Sequence, residues 1–304
     1  MRELTENPNL KLSFAGHETF PLRLLWLKKA HDAVQSGVAC RLFSNPDAIA
    51  RFGVGRNMAM SMGFWAHAVG TIADDGSLLA PTDLGSRLLS DDGWDPYLEQ
   101  PASLWTIHAR LASDPRRTTI FFAFNALSSP EFESASLQAQ LEDVARARPG
   151  SRASAVTIKR DVEVFIRSYA SRRETGGEDA AEPLLAELGL LRETRYGGHF
   201  EFVRGPKPTL PDGVFGYALE RFWQAWAPNA PTLTVEQVCY SPGSPGRIFK
   251  LDEHSVASRL MAMEALTDGA WRWTDTAGLR QLQRVRPVRD LNLLDCCYAR
   301  GGLQ

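Results

Sequence analysis

The chain has 304 residues, 44% of them hydrophobic and 23% charged, with a formal net charge of −2 and four cysteines. That length and composition suit a soluble globular protein of two or three compact domains. They exclude a bilayer-spanning segment, since no apolar run approaches roughly 20 residues, and a protein that coats nucleic acid through bulk charge. Cys40, Cys239, Cys296 and Cys297 form no Cys-x-x-Cys pair, which argues against a disulfide scaffold or a cysteine-rich zinc site and predicts buried thiols in a reducing compartment. The opening MRELTENPNLKLSF carries charges of both signs and no apolar core, so a cytoplasmic location is expected.

In chain order the pattern is mainly α, with strand signals that make it α+β. PLRLLWLKKAHDAVQ (21–35) has apolar residues near helical spacing, with Pro21 suited to a first turn. NPDAIARFG predicts a short helix capped by Asn45 and stopped by Gly53. FGVGRNMAMSMGFWAHAVGTI (52–72) follows, with Met58, Met62, Trp65 and Val69 on one stripe, and then a turn at Asp75–Gly76 between short apolar runs. Helix, short helix, glycine turn, helix and hairpin is the order of a winged helix-turn-helix, whose second helix presents its first residues, here Arg56 and Asn57, to a DNA groove. Arginine can read guanine and asparagine can read adenine through paired hydrogen bonds. Residues 95–127 predict two helices around SDPRR, with Trp105, Phe121, Phe122 and Phe124 in the core.

The order then recurs twice. SLQAQLEDVARARPG and SAVTIKRDVEVFIRSYASRR predict a second helix pair, with Val162, Phe165, Ile166 and Tyr169 buried and a hairpin around Gly197–Gly198. VFGYALERFWQAW, TLTVEQVCY and a helix over 252–266 open a third module, closed by TDGAWRWTDTAGLRQLQRV, read as a turn, a short strand and a final helix. The expected architecture is thus three tandem winged helix-turn-helix-like modules, at 1–128, 129–205 and 206–304, with key helices near 55–72, 156–172 and 252–266.

Charge singles out the middle module. Between Val144 and Arg173 lie eight basic and two acidic residues, a net of about +6. The helical phase of the buried stripe directs Lys159, Arg160, Arg167, Arg172 and Arg173 to solvent, where they would contact phosphates. Arg280, Arg284, Arg286 and Arg289 form a smaller cluster. No phosphate loop, dinucleotide fingerprint or Gly-x-Ser-x-Gly elbow is present, and SPGSPG reads as a proline-rich turn. AGHETF places His17 beside Glu18, a pair that could serve a metal-dependent hydrolase given further ligands such as His108 or Asp114, or could hydrogen-bond structurally before the first helix. No histidine or cysteine spacing marks a metal site, and no cofactor is expected.

SFAGHETFPLRLLWLKKA, FGVGRNM, DPYLEQPASLWTIHARLAS, TIKRDVEVFIRSYA, PLLAELGLL, SPGSPGRIFKLDE and DTAGLRQL together resemble the bacterial domain-of-unknown-function family 4007 over about 13–282. The resemblance implies a phage-defence setting, in DNA phosphorothioation or BREX-like gene clusters, beside a sulfur-transfer enzyme that looks like a phosphoadenosine phosphosulfate reductase. It implies no activity. Three readings remain open at this point. The first is a non-enzymatic accessory protein that binds duplex DNA, modified or unmodified, through Arg56, Asn57, Lys159, Arg160, Arg167, Arg172 and Arg173. The second is an adaptor that docks the modification enzyme, and the third a hydrolase built around His17 and Glu18.

Overall fold

The computed structural model describes Leu4, Asn7 and residues 10–148, 153–170, 183–195, 197–276 and 278–298. The protein is α+β, and its strands form three separate three-stranded antiparallel sheets. Each sheet belongs to a unit with the same order of elements. In the first, β1 (Val38–Ala39) precedes helices Ala48–Phe52 and Arg56–Val69, and β2 (Ile72–Asp75) and β3 (Leu78–Pro81) form a hairpin. In the second, β4 (Glu131–Glu133) precedes helices Ser134–Arg146 and Ala155–Tyr169 and the hairpin β5 (Leu191–Arg195) and β6 (His199–Phe202). In the third, β7 (Thr232–Thr234) precedes helices Val235–Tyr240, Pro245–Ile248 and Glu253–Leu266 and the hairpin β8 (Trp271–Thr276) and β9 (Leu279–Arg284). In every unit the strand before the helices pairs with the last strand, giving the orders β1-β3-β2, β4-β6-β5 and β7-β9-β8.

Several local causes agree with the sequence, although helix Ala48–Phe52 starts after Asp47 with no side-chain cap, and not at a capping Asn45. Gly53 ends its helix in the left-handed region (φ 65°) and donates its N–H to Ile49. Thr82, Ser154 and Asp252 cap their helices through side-chain oxygens, and Thr234 and Gln237 make a reciprocal capping box. Met62, Trp65 and Val69 bury one stripe of Arg56–Val69, and Ile158, Val162, Phe165 and Tyr169 one stripe of Ala155–Tyr169. The aromatics Trp105, Phe121, Phe122 and Phe124 are all in the core.

Four further expectations are corrected. The first helix starts at Trp26 rather than Pro21, because the chain reaches it through a left-handed Leu25 (φ 68°), which leaves Leu24 54% exposed. AGLRQLQRV is not a final helix. The three-residue spacing of Leu279 and Leu282 mimics a helical period, but Leu282 is the buried residue of β9, the central strand of its sheet. Ile166 is only half-buried, and Ile158 takes its place in the stripe. Cys40 and Cys296 are exposed thiols, whereas Cys239 is buried.

The buried side chains form one contiguous cluster, and its polar centre is His108. The ring bonds to the second and third units. Nε2 lies 2.8 Å from the Ile248 carbonyl, which can only accept, so Nε2 carries the proton. Burial pushes the imidazole pKa down to about 3, so the ring is neutral and Nδ1 accepts from the Tyr169 hydroxyl at 2.9 Å. Lys250 joins the same place, with Nζ donating to the Phe124 carbonyl at 2.7 Å and lying 4.0 Å from the Phe202 ring centroid.

This arrangement predicts an acid-sensitive core. An unfolded His108 protonates near pH 6.5, while the folded one stays neutral to about 3. Stability is therefore fully present above pH 6.5 and is lost as pH falls, by up to about 1.4 kcal/mol per unit. Urea unfolding of wild type and His108→Gln should show a shallower slope in the variant, where only other buried groups such as His67 still contribute. Tyr169→Phe, which leaves Nδ1 without its donor, should cost roughly 1–3 kcal/mol at neutral pH.

Candidate functional site

AGHETF forms a tight loop before the first helix. Gly16 lies at φ 110°, where a Cβ would meet the Phe64 ring at 2.5 Å, so only glycine fits. Glu18 (φ 46°) and Thr19 (φ 68°) follow, two consecutive non-glycine residues in the left-handed region, one of them β-branched. Such backbone costs on the order of 1–3 kcal/mol per residue and persists only where the surroundings hold it.

The holding contacts are specific. The Thr19 N–H donates to His17 Nδ1 at 3.1 Å, which leaves the ring proton on Nε2, donated to Asp161 at 2.5 Å. Both partners of this bond are buried. The Phe20 N–H donates to the His17 carbonyl, and the Phe20 carbonyl accepts from Trp65 Nε1. Arg167 donates to the Thr19 carbonyl at 2.5 Å. His17 stacks on Trp65, with ring centroids 6.3 Å apart. With both nitrogens engaged, His17 has no lone pair free for a metal or a substrate proton, and its role in the loop is structural.

Behind the pair lies a cavity of about 20 Å³, lined by His17, Asp161, Arg116, Arg117 and Thr119 with aromatic walls. That volume suits a single water. Two of its buried polar atoms, Arg117 Nε and Thr119 Oγ1, have no hydrogen-bond partner. Burial pushes the Arg117 guanidinium below its usual value, against the attraction of Asp114 and Asp161.

In front of the loop is an open cleft of about 790 Å³, lined by Glu18, Thr19, Asn57, Arg160, Glu163 and Arg167, with Ser134 and Phe200 at its far side. Asn57 comes from the first turn of Arg56–Val69, a helix whose cap residue, Gly55, offers no side-chain acceptor to its first N–H groups. Arg160, Glu163 and Arg167 come from successive turns of Ala155–Tyr169.

The residues expected to contact DNA are thus partly gathered. Asn57, Arg160 and Arg167 meet in the cleft. Arg56 and Lys159 are exposed beside residues that line it. Arg172 and Arg173 lie outside the described residues. Arg167 is not the solvent-facing cation expected, being half-buried and bonded to the loop. Arg148, counted in the basic stretch, is buried and donates to the carbonyls of Asn7 and Leu10. In the C-terminal cluster Arg280 pairs with Glu253, Arg284 with Glu220 at 2.7 Å, and Arg286 bonds the Asp268 carbonyl. Asp161 was not singled out in the sequence. Its position, three residues after Ile158 and four before Phe165, puts a carboxylate in the apolar stripe, which signals a buried partner.

Fold and site define an α+β protein of three repeated helix-and-sheet units with a mixed-charge cleft between the first two. Residues 14–298 match the profile of a family described as protein of unknown function (DUF4007), and the chain belongs to that family. Two crystal structures of SspB are similar over nearly the whole chain. One, described as magnesium ion-bound, gives a TM-score of 0.85 at 29% identity, covering 98% of this chain and 92% of that one. The other gives 0.86 at 30% identity, covering 99% and 92%. A comparison with curated proteins returns no match. No helix among the described residues is long and apolar enough to cross a membrane.

The left-handed turn makes stability trade against the site. Thr19→Gly should raise the unfolding free energy by roughly 1 kcal/mol, because glycine adopts this backbone without the Cβ penalty. Thermal and urea unfolding check it, and a loss of stability would mean that the turn is not strained.

Proposed function

We propose that this protein binds duplex DNA in the cleft between its first two units, as an accessory component of a bacterial DNA-phosphorothioation or related phage-defence system. The observation that carries the reading is convergence. Asn57 and Arg160, 103 positions apart in sequence, line one open cleft beside an uncapped helix start. We read the repeated strand–helix–helix–hairpin units as winged helices, with Arg56–Val69 and Ala155–Tyr169 facing the groove and the hairpins as wings. Lys159, Arg160 and Arg56 supply phosphate contacts, and Asn57 reads a base edge. The likeness to SspB and the family resemblance support the defence setting, with the sulfur-transfer enzyme as partner. In this reading the chain binds and does no chemistry of its own.

A gel-shift or anisotropy series over several salt concentrations tests it. The triple variant Arg56→Ala, Lys159→Ala, Arg160→Ala should flatten the dependence of log affinity on log salt by up to about 2.7, at roughly 0.9 per phosphate contact. Its melting temperature should barely move, since exposed substitutions cost under about 0.5 kcal/mol. An unchanged slope would move the function to protein docking, as an adaptor for the modification enzyme.

A second reading rests on a different observation, the left-handed Glu18 held in the same cleft as Glu163, together with the magnesium ion of one SspB structure. Among the described residues no three His, Cys, Asp or Glu side chains form a metal-holding group. Mg²⁺ nonetheless suits one or two carboxylates, completing its shell with water and substrate phosphates, so Glu18 and Glu163 fit as its holders. Bound there, it would supply charge stabilisation at a phosphodiester and a more acidic water. His17 supports the loop and takes no proton. Conversion of supercoiled plasmid to open circle in Mg²⁺, abolished by Glu18→Gln, would establish strand cleavage. Unaltered plasmid at high protein concentration would leave binding as the function.

A further inference from the structure

Asp161 is not among the residues that line the cleft, but it bonds His17, the residue before Glu18 and Thr19, which do line it. We infer that Asp161, acting through His17, is the positioning residue that fixes where Glu18 presents its carboxylate, an inference that deepens the cleft reading and rests on it for the DNA measurements. The chain of contacts is short. Asp161 accepts from His17 Nε2 at 2.5 Å. That bond sets the tautomer whose Nδ1 lone pair receives the Thr19 N–H at 3.1 Å. The Thr19 amide belongs to the peptide unit that follows Glu18, so holding it against the His17 ring constrains the φ and ψ of Glu18, which is left-handed. Nothing in Glu18 or Thr19 favours this backbone, so the His17 ring acceptor keeps it together with the Phe20 N–H bond to the His17 carbonyl and the Arg167 bond to the Thr19 carbonyl.

Charge and packing show that Asp161 serves this bond and not the core. Its neighbours Val162, Val164 and Phe165 are apolar and buried, and Asp161 is the one carboxylate among the residues that line the small cavity, beside the unpartnered donors of Arg117 and Thr119. An apolar residue at 161 would have packed that space. A carboxylate there carries a desolvation cost that only a specific partner offsets. The partner is His17, 144 positions away, from the segment that precedes the first unit. The same bond therefore fixes the angle at which the AGHETF loop meets helix Ala155–Tyr169, and so the separation of Glu18 from Arg160 and Glu163 across the cleft.

The inference separates Asp161 from a merely structural acid. Asp161→Asn keeps an oxygen that accepts from His17 and should retain the loop. Asp161→Ala removes it. Because a cavity already lies behind residue 161, the alanine variant opens a polar hole without collapsing apolar packing, and it should fold. Amide hydrogen exchange gives a readout that needs no DNA. Protection of Thr19 and Phe20 should fall by about tenfold or more in Asp161→Ala and stay within about threefold in Asp161→Asn, while amides of the His108 core are unchanged. DNA affinity gives the second readout. Whatever change Glu18→Gln produces, Asp161→Ala should reproduce, and the double variant should add nothing, a non-additivity expected only of residues that act through one another.

Unchanged exchange at Thr19 and Phe20 in Asp161→Ala would overturn the inference outright. So would affinity losses from Asp161→Ala and Glu18→Gln that simply add. Wild-type protein without DNA affinity at any salt concentration would sink the cleft reading instead, and the exchange measurement would still decide whether Asp161 positions the loop.

Discussion

The second and third units meet at a single buried imidazole. His108 comes from the helix Pro101–Ala112 between the first two units, accepts a hydrogen bond from the Tyr169 hydroxyl in the second, and donates one to the carbonyl of Ile248 in the third. All of these groups are buried. A buried ring with two polar atoms is stable only if both are satisfied, and here each is satisfied by a different unit. Separating the second or third unit leaves a donor or an acceptor unpaired in a low-dielectric interior. Lys250 adds to the constraint, since its amine reaches across to the Phe124 carbonyl and the Phe202 ring. The cleft inherits its geometry from this junction. Tyr169 ends the helix that carries Arg160, Asp161 and Arg167, so anchoring that end of the helix fixes how its first turns face the AGHETF loop.

Much of this fold is legible in the sequence, for physical reasons that differ by element. Helices Arg56–Val69 and Ala155–Tyr169 announce themselves because an apolar stripe at helical period has no cheaper explanation, and their caps, glycines and hairpin turns agree with it. The leading strands do not. β4 and β7 are three residues long and bury one side chain each, Phe132 and Leu233, so they carry no alternation to detect. They are strands only because the last strand of the unit offers them a partner. β9 was misread for the converse reason, a chance three-residue spacing of leucines that tertiary pairing overrides.

The site was legible as a set of charges and not as a set of partners. Counting cations marked the middle helix, and the exposed Lys159 and Arg160 agree with the helical phase. The count could not tell that Arg167 holds a loop 148 positions away, that Arg148 closes on the carbonyls of the N-terminal segment, or that Arg280 and Arg284 are neutralised by Glu253 and Glu220. Long-range pairing is a property of the fold. What a sequence can show is the anomaly, a carboxylate such as Asp161 inside an apolar stripe, or a histidine beside a glycine in a short loop. Each marks a place where some distant group must answer.

The pairing of first strand with last has a consequence for how the chain is threaded. In each unit the two strands are antiparallel, with Val38 opposite Leu79 in the first and Thr232 opposite Gln283 in the third. The chain therefore comes in and leaves at the same end of each sheet, on neighbouring strands. A cassette whose two ends meet can be lengthened internally, duplicated or exchanged without moving its neighbours. Insertions at the hairpin tips, such as that between β8 and β9, project away from the join. Three such cassettes strung along one chain, two of them locked afterwards by one buried ring, describe a route by which copying a small unit could yield a protein of this size, with the cleft arising at a boundary between copies.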